Sequence, residues 1–266
     1  MDNDSPTSAA EQNATQKIRI GCAGWSIPRE HRELFSEHAS ALERYASRFD
    51  AVEINSSFYR PHQAKTYERW AASVPEDFRF SVKVPKSITH EQTLLGTAPL
   101  VDQFLDECLA LGDKLGGLLV ELPPRLGFDG RRANAFFGLL RRRLPDRVAI
   151  ACEPRHAGWF SEKADEVWHR HQVNRIAADP ASPAWADGGI PGHEGRWCYW
   201  RLHGSPRRYS SAYSTEFLTA LTTSLQHAVQ AADAWVIFDN TAQGHASADA
   251  AKLQKLLSSG HSKLNG

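Results

Sequence analysis

Apolar residues fall into two alternating kinds of run along this chain. Short, nearly continuous apolar blocks stand at residues 17–26, 51–55, 78–84, 117–122, 148–152, 175–178, 197–202 and 235–238. Blocks of this kind suit strands buried on both faces of a parallel sheet. Between them, apolar residues recur at helical spacing. Phe35, Ala39, Leu42, Ala46 and Phe49 form one such stripe. Val101, Phe104, Leu105, Cys108 and Leu111 form another, as do Ala133, Phe136, Phe137, Leu140 and Leu144. Phe217, Leu221, Leu225 and Ala228 repeat the pattern, and helices are also predicted over 62–73, 165–171 and 246–257. Pro75, Pro85, Pro123 and Pro124 punctuate the ends of elements.

Eight strands alternating with about seven helices predict the α/β class and a single (β/α)8 TIM barrel. The sixth helix is replaced by an irregular excursion over 180–195, which is rich in Pro, Gly, Ala and Asp. A doubly wound open sheet is the alternative, but no G-x-G-x-x-G follows the first strand. Residues 1–16 read as a disordered N-terminal tail, 17–258 as the barrel and 259–266 as a flexible C-terminal tail. Neither an internal repeat nor a linker divides the barrel.

Composition narrows the function classes. Lys+Arg and Asp+Glu both number 31, so net charge gives no push toward nucleic acid or membrane. The polar start of the chain does not read as a signal peptide, and no apolar run is long enough to span a bilayer. Cys22, Cys108, Cys152 and Cys198 are scattered without a C-x-x-C pair, which suits reduced, buried thiols and a cytoplasmic protein. Arg131, Arg132 and Arg141 to Arg143 make a basic run around one helix, read as a solvated face rather than a nucleic-acid contact.

The candidate chemistry lies where strands end, because parallel barrels place their sites at the carboxyl ends of their strands. In E-P-R-H-A-G-W, Glu153, Arg155 and His156 stand at such an end, with Trp159 close behind. Strand alternation puts Glu53 with Asn55, Glu153 with Arg155, Arg201 with His203, and Phe238 with Asn240 on shared faces. Lys83, Glu121 and Asp179 close other strands. Glu53, Glu153 and His203 are the candidate catalytic acids and bases. Arg155, Arg201 and Lys83 suit a phosphate or carboxylate, and Asn55, Tyr59, His156, Trp159, Asp179 and Asn240 complete a ligand-binding set. Trp25, Phe58, Tyr209 and Tyr213 could also wall the mouth. No metal ligand set is assigned. His169 and His171 share no helix face, and H-E-x-x-H, G-x-S-x-G and Walker motifs are absent. Cations expected at the mouth compete with a divalent ion for the carboxylates, so no cofactor is predicted and a metal is disfavoured.

These motifs carry a family resemblance. I-G-C-A-G-W, F-D-A-V-E-I-N-S-S-F-Y, F-S-V-K-V-P-K-S-I-T-H, L-L-V-E-L-P-P, E-P-R-H-A-G-W, Y-W-R-L-H-G and F-D-N-T-A-Q-G-H-A run in order over nearly all of residues 18–250. Together they resemble the YecE-like family, domain of unknown function 72. The resemblance implies a TIM barrel with a site at its carboxyl face and implies no reaction. Glu121 departs from the Gln common in that family, and Asp239–Asn240 from a frequent Asn–Asn, so this chain carries extra negative charge at both places. The barrel is also distantly similar to xylose-isomerase-like and apurinic-endonuclease barrels, whose metal sites are a fold-level analogy only.

The reading points to an enzyme acting on a small anionic substrate, a hydrolase or an isomerase without an obligate cofactor. A nucleic-acid-processing barrel and a non-catalytic module binding an anionic metabolite stand as alternatives. Nothing in the sequence sets the oligomeric state.

Overall fold

The structure, a computed structural model, describes residues 16–182, 191–192 and 197–264. The expected N-terminal tail lies outside the described residues apart from Gln16, as does most of the 180–195 excursion. Among the described residues, nine strands lie in one sheet: β1 (Ile18–Ala23), β2 (Ala51–Ile54), β3 (Arg79–Lys83), β4 (Leu115–Glu121), β5 (Ala149–Glu153), β6 (Val173–Arg175), β7 (Ala177–Asp179), β8 (Trp197–Leu202) and β9 (Asp233–Phe238). All pairings are parallel, in the order β6-β5-β4-β3-β2-β1-β9-β8-β7.

The expected sixth strand is split. β6 pairs with β5, β7 pairs with β8, and Ile176 between them donates its N–H to Cys152 O at 2.9 Å. The two short pieces thus act as one broken strand that brings the edges of the sheet together, and the architecture is the expected TIM-like barrel.

Among the described residues, seven α-helices surround it: α1 (Ala41–Ala46), α2 (Ala64–Ala72), α3 (Ala98–Cys108), α4 (Gly130–Arg143), α5 (Glu162–His171), α6 (Thr215–Ala228) and α7 (His245–Leu264). The first is shorter than its apolar stripe predicts. Ser40 caps it, with the Glu43 amide bonded to the Ser40 hydroxyl and the Glu43 carboxylate to the Ser40 amide. Phe35 therefore lies outside the helix yet still packs on Tyr45 and Phe49. α7 runs to Leu264, past residue 258 where the sequence reading ended the barrel.

The basic run near α4 is less solvated than expected. Arg141 donates to the carbonyls of Val148, His171 and Gln172, and Arg143 pairs with Asp102 and Asp106. These arginines tie α4 to its neighbours. Cys22, Cys108, Cys152 and Cys198 are all buried. Among the described residues, no helix is long and apolar enough to cross a membrane.

Two apolar cores result. The larger lies between sheet and helices, and the smaller fills the barrel lumen. Trp197, Tyr199 and Trp235 fill that lumen opposite Ala51, Ala151 and Ala178. Gly117 makes room for them, because a Cβ there would lie 2.7 Å from the Trp197 ring. Alternation along β8 then stacks Trp197, Tyr199, Arg201 and His203 on the inward face. Apolar filling gives way to charge at the level of Arg201, towards the carboxyl end of the barrel.

Candidate functional site at the carboxyl end of the barrel

Arg201 is the hub. It has no exposed surface, and each of its five N–H groups faces a carboxylate. Nε lies 3.2 and 3.0 Å from the two Glu53 oxygens, and Nη2 lies 2.7 Å from Glu53 Oε1. Nη2 also pairs with Asp239 Oδ2 at 2.9 Å. Nη1 reaches Glu153 Oε2 at 3.0 Å and Glu121 Oε2 at 3.4 Å. From the layer below, Tyr199 Oη donates to Glu53 Oε2 at 2.9 Å.

His203 completes the inner network. Its Nε2 lies 2.9 Å from Glu153 Oε1 and its Nδ1 3.1 Å from Asp239 Oδ2. With a carboxylate against each ring nitrogen, both nitrogens must donate, so the ring is an imidazolium. Burial alone would lower its pKa, but Glu153 and Asp239 outweigh it and raise the value. Burial likewise pushes Glu153 upward, and His203 and Arg201 override it, holding the carboxyl well below its usual range.

An outer edge is more open. Lys83 Nζ pairs with Glu121 Oε2 at 2.9 Å and sits 4.1 Å from the centre of the Phe58 ring. Arg155 Nη2 bridges Glu121 at 3.2 Å and Glu153 at 3.1 Å. Above them His90 Nε2 lies 3.8 Å from Glu121 Oε1, while His90 Nδ1 bonds the Thr89 hydroxyl at 2.8 Å. Burial lowers the His90 pKa, outweighing the pull of Glu121 and reinforced by Lys83 and Arg155. The lowered pKa favours the neutral imidazole of His90 at the rim. Tyr209, held at φ 67°, packs its ring against His203, and Tyr59 is 68% exposed.

The structure thus brings Glu53, Lys83, Glu153, Arg155, Arg201 and His203 into one cluster with Glu121 and Asp239. Four carboxylates meet Lys83, Arg155, Arg201 and the His203 imidazolium, so the cluster is neutral. Glu121 and Asp239 are part of that balance. Arg201 was expected to hold a ligand, but its donors are saturated and it faces no solvent. Five other expected residues lie elsewhere. Phe238 and Asn240 do share a face, but it is the helix-side face. Asn240 Nδ2 bonds Ser211 O and Asp249 Oδ2 there, and Asp239 is the inward residue. Asp179 also faces the helix layer, accepting from Tyr213 Oη at 3.0 Å. His156 caps a short turn through the Gly158 N–H, and Trp159 is buried against Phe128 and Trp168. Asn55 has left the strand, with helical backbone angles of −85° and −22°.

Sequence reasoning missed His90, Tyr199 and Asp239. The parity of the inward residues Trp235 and Ile237 would have pointed to Asp239. His90 had no such signal, since it sits in a π-helical turn (Ser87–Glu91) beyond its strand. The donor set fits a metal poorly, because every carboxylate of the cluster already has a cationic partner. Among the described residues, no group of three or more His, Cys, Asp or Glu is arranged to hold a metal ion.

Comparisons with known proteins agree with this architecture. The family described as Protein of unknown function DUF72 matches residues 19–265. The UPF0759 protein YecE of Escherichia coli K12 is 30% identical over 167 residues, covering 61% of this chain and 59% of its own length. A DUF72 family protein of Enterococcus faecalis, EF0366, superposes with a TM-score of 0.74 at 24% identity, over 91% of this chain and 95% of that one. The Thermotoga maritima DUF72 protein TM1631 gives a TM-score of 0.73 at 23% identity, over 91% and 99%. Both structural likenesses speak to the fold.

Proposed function

Because the chain belongs to the DUF72 family of proteins of unknown function, we propose that it is an acid–base enzyme acting on a small anionic substrate at the carboxyl mouth of the barrel. The observation that carries this reading is the division of the charged cluster into two parts. The inner part, centred on Arg201, is saturated and buried. The outer part presents a neutral imidazole, His90, beside Glu121, Lys83 and Arg155. A purely structural plug has no need of this edge. Burying many ions costs several kcal/mol each before pairing, and apolar side chains would fill the space at least as stably.

In this reading His90 is the general base, since an imidazole that stays neutral near pH 7 can take a proton. Lys83 and Arg155 face the substrate oxygen on which charge develops, and Glu121 orients all three. The His203 imidazolium and Glu53 act through others. They fix Glu153, Asp239 and Arg201, which in turn hold Arg155 in place. Because the carboxylates are engaged by cations, the proton-transfer step, an isomerisation or a hydrolysis, is assigned without a metal.

The test is incubation with a panel of small phosphorylated and carboxylated hydroxy compounds in D2O, followed by proton NMR. Deuterium incorporation or product formation that is lost in His90→Gln supports the reading. Panel members that bind without exchange or product would reduce the protein to a binding module.

A further inference from the structure

Beside the mouth lies a cavity of about 480 Å³ that the cluster does not use. It is lined by Ser205, Pro206, Arg207, Ser210, Ser211 and Ala212 of the loop after β8, and by Gln243 and His245 after β9. We infer that this cavity is a phosphate-binding subsite, which holds the phosphoryl end of the substrate while its reacting end lies over His90. The substrate role rests on the acid–base reading above, whereas the affinity for phosphate does not.

Three independent features carry the inference. The first is the chemistry of the lining, which has three hydroxyls, an amide, an imidazole and the exposed Arg207, with no carboxylate among them. The nearby acid Asp249 is turned away, bonded to the Tyr213 N–H and to Asn240 Nδ2. The lining therefore offers an anion donors, and the Glu30 carboxylate stands outside it, beside Gly244.

The second feature is the helix that begins at the cavity. His245 is the first residue of α7, a 20-residue helix. The N–H groups of a first turn have no acceptor inside their helix, and the aligned peptide dipoles place partial positive charge there. Two residues on, Ser247 is only 3% exposed and its hydroxyl has no hydrogen-bond partner. That hydroxyl stands in the same first turn of α7 but does not line the cavity.

The third feature is rigidity and placement. Ala242 N–H bonds Tyr209 O at 3.0 Å, and Asn240 Nδ2 bonds Ser211 O at 3.0 Å. These bonds join the two loops. Ser211 Oγ accepts from Arg207 N at 3.0 Å, which fixes the turn that carries the arginine. Gly204, at φ 92°, lets the chain fold back this tightly, since a Cβ there would lie 2.7 Å from Ser211 O. Tyr209 belongs to the same loop and packs on His203, so the cavity adjoins the cluster. Loops after the seventh and eighth barrel strands are a frequent place for phosphate in this architecture.

The experiment is isothermal titration of the full chain with inorganic phosphate and, separately, with a sugar phosphomonoester. Wild type, Arg207→Ala, Gln243→Ala and His90→Gln are compared, with urea midpoints recorded for each. Saturable binding that weakens about tenfold or more in Arg207→Ala, the loss of one charge-assisted contact, but persists in His90→Gln, is the expected result. Tighter binding of the monoester than of inorganic phosphate supports the substrate role, and no binding of the monoester overturns that role. The subsite itself is overturned if neither anion binds. It is also overturned if binding survives Arg207→Ala and Gln243→Ala yet is lost in His90→Gln, because the anion then sits in the mouth. A failure of turnover with phosphate binding intact strikes the acid–base reading alone.

Discussion

Arg201 and Glu53, 148 residues apart in the chain, meet fork to fork with Nη2 to Oε1 at 2.7 Å and no solvent beside either group. Nε completes the fork on both oxygens. Removing one member of such a pair strands the other as an unpaired buried charge. Arg201→Met is expected to lower stability by about 3–5 kcal/mol, measured by urea unfolding. Arg201→Lys should fare little better, because an ammonium cannot reach Glu53, Glu121, Glu153 and Asp239 together. A loss below about 1 kcal/mol, the scale of an exposed ion pair, would show that the cluster does not depend on this hub.

His203 gives stability a distinctive pH dependence. Its pKa is raised in the folded protein, so its contribution is full below the unfolded value of about 6.5 and fades as pH rises through the folded value. Glu153 and Asp239 are shifted down, so their contribution is present above the unfolded carboxylate range and fades only as pH falls through their folded values. Urea midpoints are therefore expected to decline on the alkaline side of neutrality, with that slope reduced in His203→Gln. Equal slopes for the two proteins would mean that His203 is uncharged in the native state.

His90 should titrate in the opposite sense. Burial lowers its pKa, so it loses its proton below the usual histidine value, while His203 keeps its own above it. Carbon-detected NMR of the two ring signals, assigned through His90→Gln and His203→Gln, is expected to show these separated titrations. His90→Gln should change the unfolding free energy measured in urea by about 1 kcal/mol or less, because the side chain is only half-buried. A His90 signal still protonated at pH 7 would remove it as a general base.

Gly117 tests the lumen packing. A methyl group there would press on Trp197 at 2.7 Å and on Ala149 O at 2.9 Å. Gly117→Ala is expected to cost about 1–3 kcal/mol by overpacking. Trp197→Leu, destabilising by itself, should absorb part of that cost in the double variant. Strict additivity of the two losses in thermal unfolding would mean that the lumen adjusts in some other way.

Much of this molecule can be read from its sequence, and the limits have physical causes. Strands buried on both faces leave continuous apolar blocks, so the barrel and its strand ends were legible. Alternation found Glu53, Glu153 and Arg201, because each follows an inward apolar residue in step, and His203, because it follows Arg201. The same rule misassigned Asn240, since it tells which residues share a face but not which face is the inside, and Asp179, chosen as a strand end, faces the helix layer. Arg201 was taken for a ligand holder because saturation of a guanidinium depends on partners scattered from Glu53 to Asp239. Trp159 looked like rim material, but the chain after β5 carries it into the helical layer. His90 belongs to a turn whose position only the folded chain reveals.

The broken sixth strand gives the barrel a seam. Among the described residues, none of β6 is laddered to β8 and none of β7 to β5, so the ring is fastened by a clasp with Ile176 at its middle. A strand that is laddered on both sides must break two rows of bonds to move, whereas each half of this one breaks a single row. Native-state hydrogen exchange should therefore enter at residues 173–179 before it reaches β1 or β9. The ring would open there as an unclasped bracelet does, with the rest of the circle still intact.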